Sequence, residues 1–303
     1  MDTTAAREIL SRVRGLEIRT RRLVEESMAG QYHSVFKGRG MDFEEVREYL
    51  PGDEVRSIDW NVTARTGRPF VKKFTEEREL TLLLLLDLSA SGRFGSGSRS
   101  KRELAAEVAS VLAFSAIRNQ DRVGLVLFTD RVEKFIAPAK GRSHVLRVVR
   151  ESLFFEPEHT GTDLLAAVEF ANRVVPRRAV AFLISDFLLP GNEKGLPEPV
   201  RRALTLANRR HDLVALSTTD PRERELPDVG FVTLDDAETG EQLEIDTSNP
   251  GLRRRYAQAA QSHAEALSQS LRGCGVDLLE LSTDEPYLPA LQRFFRGRAR
   301  RAA

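Results

Sequence analysis

Residues 80 to 91 read Leu80-Thr81-Leu82-Leu83-Leu84-Leu85-Leu86-Asp87-Leu88-Ser89-Ala90-Ser91. The run Leu82 to Leu86 is apolar without alternation and too short for an ordinary helix, which is the pattern of a strand buried on both faces of a parallel sheet. Helical periodicities at 102–119, 143–153, 162–175 and 199–210 follow, interleaved with strand-like stretches at 122–129, 132–137, 179–185 and 212–217. Alternation of this kind requires crossover connections, so the sequence predicts an α/β domain over 80–303 with a doubly wound, mostly parallel sheet.

Two segments break the rhythm. Residues 230–247 read as a β-hairpin, with a glycine-bearing turn between Phe231-Val232-Thr233-Leu234 and Gln242-Leu243-Glu244-Ile245. Residues 30–79 carry glycines, the turn Leu50-Pro51-Gly52-Asp53 and a strand-like 69–74, and are expected to form a small β-containing extension that packs with the hairpin. Residues 1–29 predict an amphipathic helix rich in arginine. Asn249-Pro250 predicts the start of a long helix, striped by Leu252, Tyr256, His263, Leu267 and Leu271 and closed by Gly273. A strand at 276–281 and a helix at 286–296 end the pattern.

Lys+Arg number 46 and Asp+Glu 45, so no global field gathers nucleic acid or anionic lipid. The longest wholly apolar run, Leu82–Leu86, falls far below the roughly twenty residues of a membrane span. The expected location is the cytoplasm, with membrane association only through a membrane-bound partner. The single cysteine, Cys274, excludes an intrachain disulfide and a cysteine-built metal site. Phosphate-binding and dinucleotide glycine motifs are missing, as is a nucleophile and histidine pairing, so no enzyme is expected.

Chemistry concentrates at the strand ends. Asp87, Ser89 and Ser91 follow the leucine run, where carboxyl ends of parallel strands form a ligand crevice. Thr160-Gly161-Thr162-Asp163 opens a helix, and Asp186 follows the strand at 179–185. Two carboxylates and three hydroxyls are hard oxygen donors, suited to Mg²⁺, Mn²⁺ or Ca²⁺ rather than zinc or copper. The alternative is ordinary turn and cap chemistry. Asp53 and Asp59 with Arg47 and Arg56 read as a turn salt-bridge network. Trp60 reads as core or as a docking platform, His263 as a satisfied, partly buried histidine, and the arginines from 293 to 301 as a frayed end.

The set Asp87-x-Ser89-x-Ser91, Thr162 and Asp186 resembles the metal-ion-dependent adhesion site of von Willebrand factor A domains. The blocks Gly38-Arg39-Gly40-Met41-Asp42-Phe43, Arg47-Glu48-Tyr49-Leu50-Pro51-Gly52-Asp53, Ile58-Asp59-Trp60 and Ala64-Arg65-Thr66-Gly67 resemble a narrower bacterial family, domain of unknown function 58, von Willebrand A-like proteins encoded beside MoxR-type AAA+ ATPases. The resemblance implies a sheet of von Willebrand factor A type. It also implies metal ligation by Asp87, Ser89, Ser91, Thr162 and Asp186, with Thr160 competing with Thr162, and His159-Thr160-Gly161 and Phe187 standing where relatives carry glycines. It further implies an adaptor or co-chaperone that binds a partner carboxylate through the metal, its partners a MoxR-type ATPase and other von Willebrand A or client proteins. A chelatase-like subunit for metal insertion and a Mg²⁺-dependent phosphohydrolase are the alternatives. The phosphohydrolase is weakened by serine at position 89 and by the distance in sequence from Asp87 to a lysine such as Lys101.

Overall fold

The computed structural model describes residues 41–76, 80–189, 191, 195–235 and 242–302, together with Gly15. The expected N-terminal helix and the hairpin turn at 237–240 lie outside them. The chain forms two compact units, residues 36–80 and a larger one built on Thr81–Ala303.

In the smaller unit, β1 (Met41–Glu48) pairs antiparallel with β2 (Phe70–Glu76), and α1 (Trp60–Thr66) lies between them in sequence. Asp59 caps α1 through the Asn61 and Val62 amides, and Gly67 ends it at φ 71°, a left-handed position that favours glycine. Arg47 grips Asp53 with two bonds of 2.7 and 2.8 Å, as the turn network predicts. Trp60 is 66 % exposed and is therefore not core.

The larger unit is built on β3 (Thr81–Asp87), β4 (Arg122–Phe128), β5 (Val132–Ala139), β6 (Val180–Ser185), β7 (Asp212–Thr219) and β10 (Asp277–Ser282), in the order β10-β7-β6-β3-β4-β5. Every neighbouring pair is parallel except β4 with β5. This is the α/β, mostly parallel architecture expected from the sequence. Hairpin β8 (Phe231–Asp235) with β9 (Gln242–Asp246) forms a two-stranded sheet of its own where the sequence predicts a hairpin.

Both faces of β3 are covered, which explains the unbroken leucines. Leu83 and Leu85 pack with α4 (Leu164–Val174), α5 (Glu198–Arg210) and α7 (Pro250–Gly273), through Leu164, Val168, Leu204, Leu267 and Leu271. By strand alternation Leu82, Leu84 and Leu86 serve the opposite face. That side carries α2 (Lys101–Arg118), packed against α3 (Arg142–Phe154), and α8 (Tyr287–Ala302). Phe295 of α8 meets Phe182 of β6 edge to face, with centroids 6.4 Å apart. The expected frayed tail is instead helical to Ala302, since Arg298 bonds Asp212 at 2.6 Å and Asp277 at 2.9 Å. His263 is half-buried, and its Nε2 has no hydrogen-bond partner among the described residues, unlike the satisfied histidine expected.

Candidate metal centre

β3 and β6 are adjacent and end in register, so Asp87 and the Ser185-Asp186 pair emerge side by side. Asp87 is 7 % exposed. Its Oδ1 accepts the Ser89 amide at 2.9 Å, folding the loop back over the strand end, and its Oδ2 accepts the Ser185 hydroxyl at 2.6 Å. Ser89 and Ser91 place their Oγ atoms 3.1 Å apart, so the i and i+2 hydroxyls face one side as the spacing implies.

The second loop is drawn alongside by its backbone. The Ala90 amide donates to the Thr160 carbonyl and the Asp163 amide to the Thr129 carbonyl, both at 2.8 Å. Glu133 secures the loop through the His159 amide at 3.1 Å and the Thr129 hydroxyl at 2.8 Å. Burial pushes the Glu133 carboxyl up, but these hydrogen bonds prevail and hold it below its usual range. Asp163, rather than Thr162, is the N-cap of α4, accepting the Ala166 amide at 3.0 Å. Thr162 is half-buried one residue earlier.

Asp186 is fixed by a strained turn. Phe187 sits at φ 57°, a left-handed conformation unusual for a bulky residue, while its ring is fully buried in the core. Burial of the ring offsets the backbone cost. The turn directs the Leu188 amide to Asp186 Oδ1 at 3.1 Å.

Lys101, far from Asp87 in sequence, belongs to the site. It opens α2, its side chain is 1 % exposed, and its Nζ donates to Asp186 Oδ2 at 2.6 Å and to Glu223 Oε1. Burial lowers its pKa, yet the charges of Asp186 and Glu223 outweigh that and leave it raised. A lysine in a first helical turn opposes the helix dipole, so its place directly after the Ser100 cap was the available sequence signal of a tertiary role. Ser185, beside Asp186, reads in sequence only as the last residue of a strand, and Glu223 on α6 (Pro221–Arg224) only as the partner of Asp220 in a capping box, so neither pointed to Lys101.

Asp87, Ser89, Lys101, Ser185, Asp186 and Thr218 border a recess of about 10 Å³, room for one water-sized body. Ser91 adjoins it through Ser89, whereas Thr162 is not among its lining residues. Asp186 and Glu223 both bond the Lys101 ammonium beside Asp87, and Arg102 also borders the recess. Burial, then the charge on Asp186, pushes the Asp87 carboxyl up to about 7, against the hydrogen bonds from Ser185 and Ser89. The oxygens of Asp87, Ser89, Ser185, Asp186 and Thr218 are hard donors, the class that Mg²⁺, Mn²⁺ or Ca²⁺ takes.

A family model described as protein of unknown function DUF58 matches residues 45–266. The chain belongs to the DUF58 family. An uncharacterized protein of Mycobacterium tuberculosis, Rv1480, is 35% identical to this DUF58 chain over 297 residues, covering 97% of it and 91% of the relative. The uncharacterized protein YeaD of Bacillus subtilis is 32% identical over 106 residues, 35% of this chain and 24% of YeaD. Among solved structures, BatB from Bacteroides thetaiotaomicron is similar at a TM-score of 0.45 and 16% identity, over 73% of this chain and 99% of that one. The mussel byssus protein PTMP1 gives 0.37 and 13%, over 46% and 38% of the two chains.

Proposed function

We propose that this DUF58 protein is a metal-dependent protein-interaction module of von Willebrand factor A type. A divalent cation, Mg²⁺ or its hard relatives Mn²⁺ and Ca²⁺, would be held by Asp87, Ser89, Ser91, Thr162 and Asp186. The observation that carries this reading is the water-sized recess at the ends of β3 and β6, where the carboxylates of Asp87 and Asp186 and the side chains of Ser89, Ser185 and Thr218 come together beside Lys101. When bound, the cation supplies positive charge and a coordination position that an outside carboxylate can take. Ser89 and Ser185 orient Asp87, the turn at Phe187 orients Asp186, and the Thr160 carbonyl pins the loop that carries the two serines.

The role is recognition, not catalysis. The partner is a MoxR-type AAA+ ATPase in the cytoplasm, with this protein as adaptor or co-chaperone toward clients, whose acidic side chain completes the site. The phosphohydrolase alternative gains a lysine near Asp186, but that ammonium is engaged by two carboxylates and position 89 remains serine.

Titration calorimetry with Mn²⁺ tests the reading. Asp87→Asn should weaken binding by about tenfold or more, with an unchanged circular dichroism spectrum because asparagine matches the shape of the last β3 residue and keeps an acceptor oxygen. Pull-down of the MoxR-type ATPase should fall in parallel with that variant and with EDTA. Undiminished Mn²⁺ binding by Asp87→Asn would sink the assignment.

A further inference from the structure

The proposed cation site already contains a cation. The Lys101 ammonium is shared by two carboxylates of different standing: Asp186 belongs to the proposed ligand set and Glu223 does not. Glu223 is anchored independently of the lysine, since its Oε2 accepts the Asp220 amide at 2.9 Å. Asp220 is itself fully buried and fixed by the hydroxyls of Ser96 and Thr283, each at 2.6 Å. Glu223 is therefore held in place whether or not Lys101 leans on Asp186.

A divalent ion that engages Asp186 competes with the ammonium for that carboxylate. Stranding a buried ammonium without a partner would oppose binding of the ion. Glu223 removes that obstacle because the ammonium already touches it. We propose that Lys101 is a tethered counter-ion that shares Asp186 with the divalent cation, and that Glu223 retains the lysine when the cation binds, so that this pair sets the affinity of the site. The inference rests on the cation-binding reading above. It gives the metal-free protein a neutralised Asp186 and makes metal uptake an exchange of partners rather than the filling of a bare acidic hole.

The test is Mn²⁺ titration, by calorimetry and by electron paramagnetic resonance of the free ion, on the full chain and on Lys101→Met and Glu223→Gln. Lys101→Met should bind about tenfold tighter than the unsubstituted protein, and Glu223→Gln about tenfold weaker although Glu223 is no ligand. Thermal melts add a second readout: Lys101→Met should melt lower without Mn²⁺ and gain more from it. A lysine that served only as a strut would, when removed, weaken binding along with the fold. A folded Lys101→Met that binds Mn²⁺ no tighter than the parent overturns the proposal. If that variant does not fold, Glu223→Gln binding as tightly as the parent overturns it alone. Absence of binding in all three proteins removes the cation-site reading itself, and this inference with it.

Discussion

His211 ends α5 with its ring 2 % exposed, and its Nδ1 accepts the Ala179 amide at 3.2 Å where the chain enters β6. Its Nε2 has no partner among the described residues. Burial first, then the charges of Arg210 and Arg178, lowers its pKa to about 4. The unfolded chain, with an ordinary imidazole near 6.5, therefore binds more protons than the folded one between about pH 4 and 6.5, and stability rises with pH across that window. Acidification should cost up to roughly 1.4 kcal/mol per pH unit from this residue. His211→Asn keeps an acceptor for the Ala179 amide and removes the titration, so denaturant unfolding at pH 4.5 and 7 should differ less in the variant than in the parent. An equal pH slope in both would refute the assignment.

At the level of elements, α2 is buried on nearly its whole circumference, with Ala105, Ala106, Ala109, Ala113 and Ala116 allowing close approach and Ser110 and Ser115 returning their hydroxyls to its own carbonyls. Its start is set by Ser100 and Glu103, a capping box that places Lys101 at the ends of the strands. The antiparallel edge depends on Gly124: a Cβ there would stand 2.8 Å from Pro138 Cγ on β5 and 3.2 Å from Leu83 Cδ1 on β3. Gly124→Ala should therefore overpack the sheet and cost about 1–3 kcal/mol in chemical denaturation. A neutral result would mean that β5 yields at Pro138 without penalty. Neither outcome should touch the proposed cation site, because it lies at the other end of β3.

For the larger unit as a whole, the last helix closes one face of the sheet. Phe295 is fully buried against Phe182, and Arg298 ties the end of α8 to Asp212 on β7 and Asp277 on β10. Phe295→Ala should destabilise by about 3–5 kcal/mol, the range for truncating a buried aromatic residue. Equilibrium unfolding should register it as one cooperative loss, and a cost below about 1 kcal/mol would show that α8 is peripheral. The smaller unit holds its own antiparallel pair and its own Arg47 to Asp53 bond, and it displays Leu50, Val55 and Trp60 on its surface. No helix among the described residues is long and apolar enough to cross a membrane.

The leucine run and the strand and helix periods determined the sheet and its layers, because burial on two faces leaves an unbroken apolar record and burial on one leaves a periodic record. That Asp87, Ser89 and Asp186 come together was legible for a related reason: strand ends in a parallel sheet converge wherever topology makes the strands neighbours. The hairpin of β8 and β9 was legible from its turn and alternation, whereas the antiparallel pairing of β5 with β4 was not, because a pattern of alternating strands and helices reads as parallel throughout. The arginine-rich tail looked solvated until Asp212 and Asp277 came within reach of Arg298. Lys101 and Glu223 were decided only by tertiary structure. A buried ammonium needs its carboxylates in space, and those it found stand on the turn after β6 and on a short helix after β7.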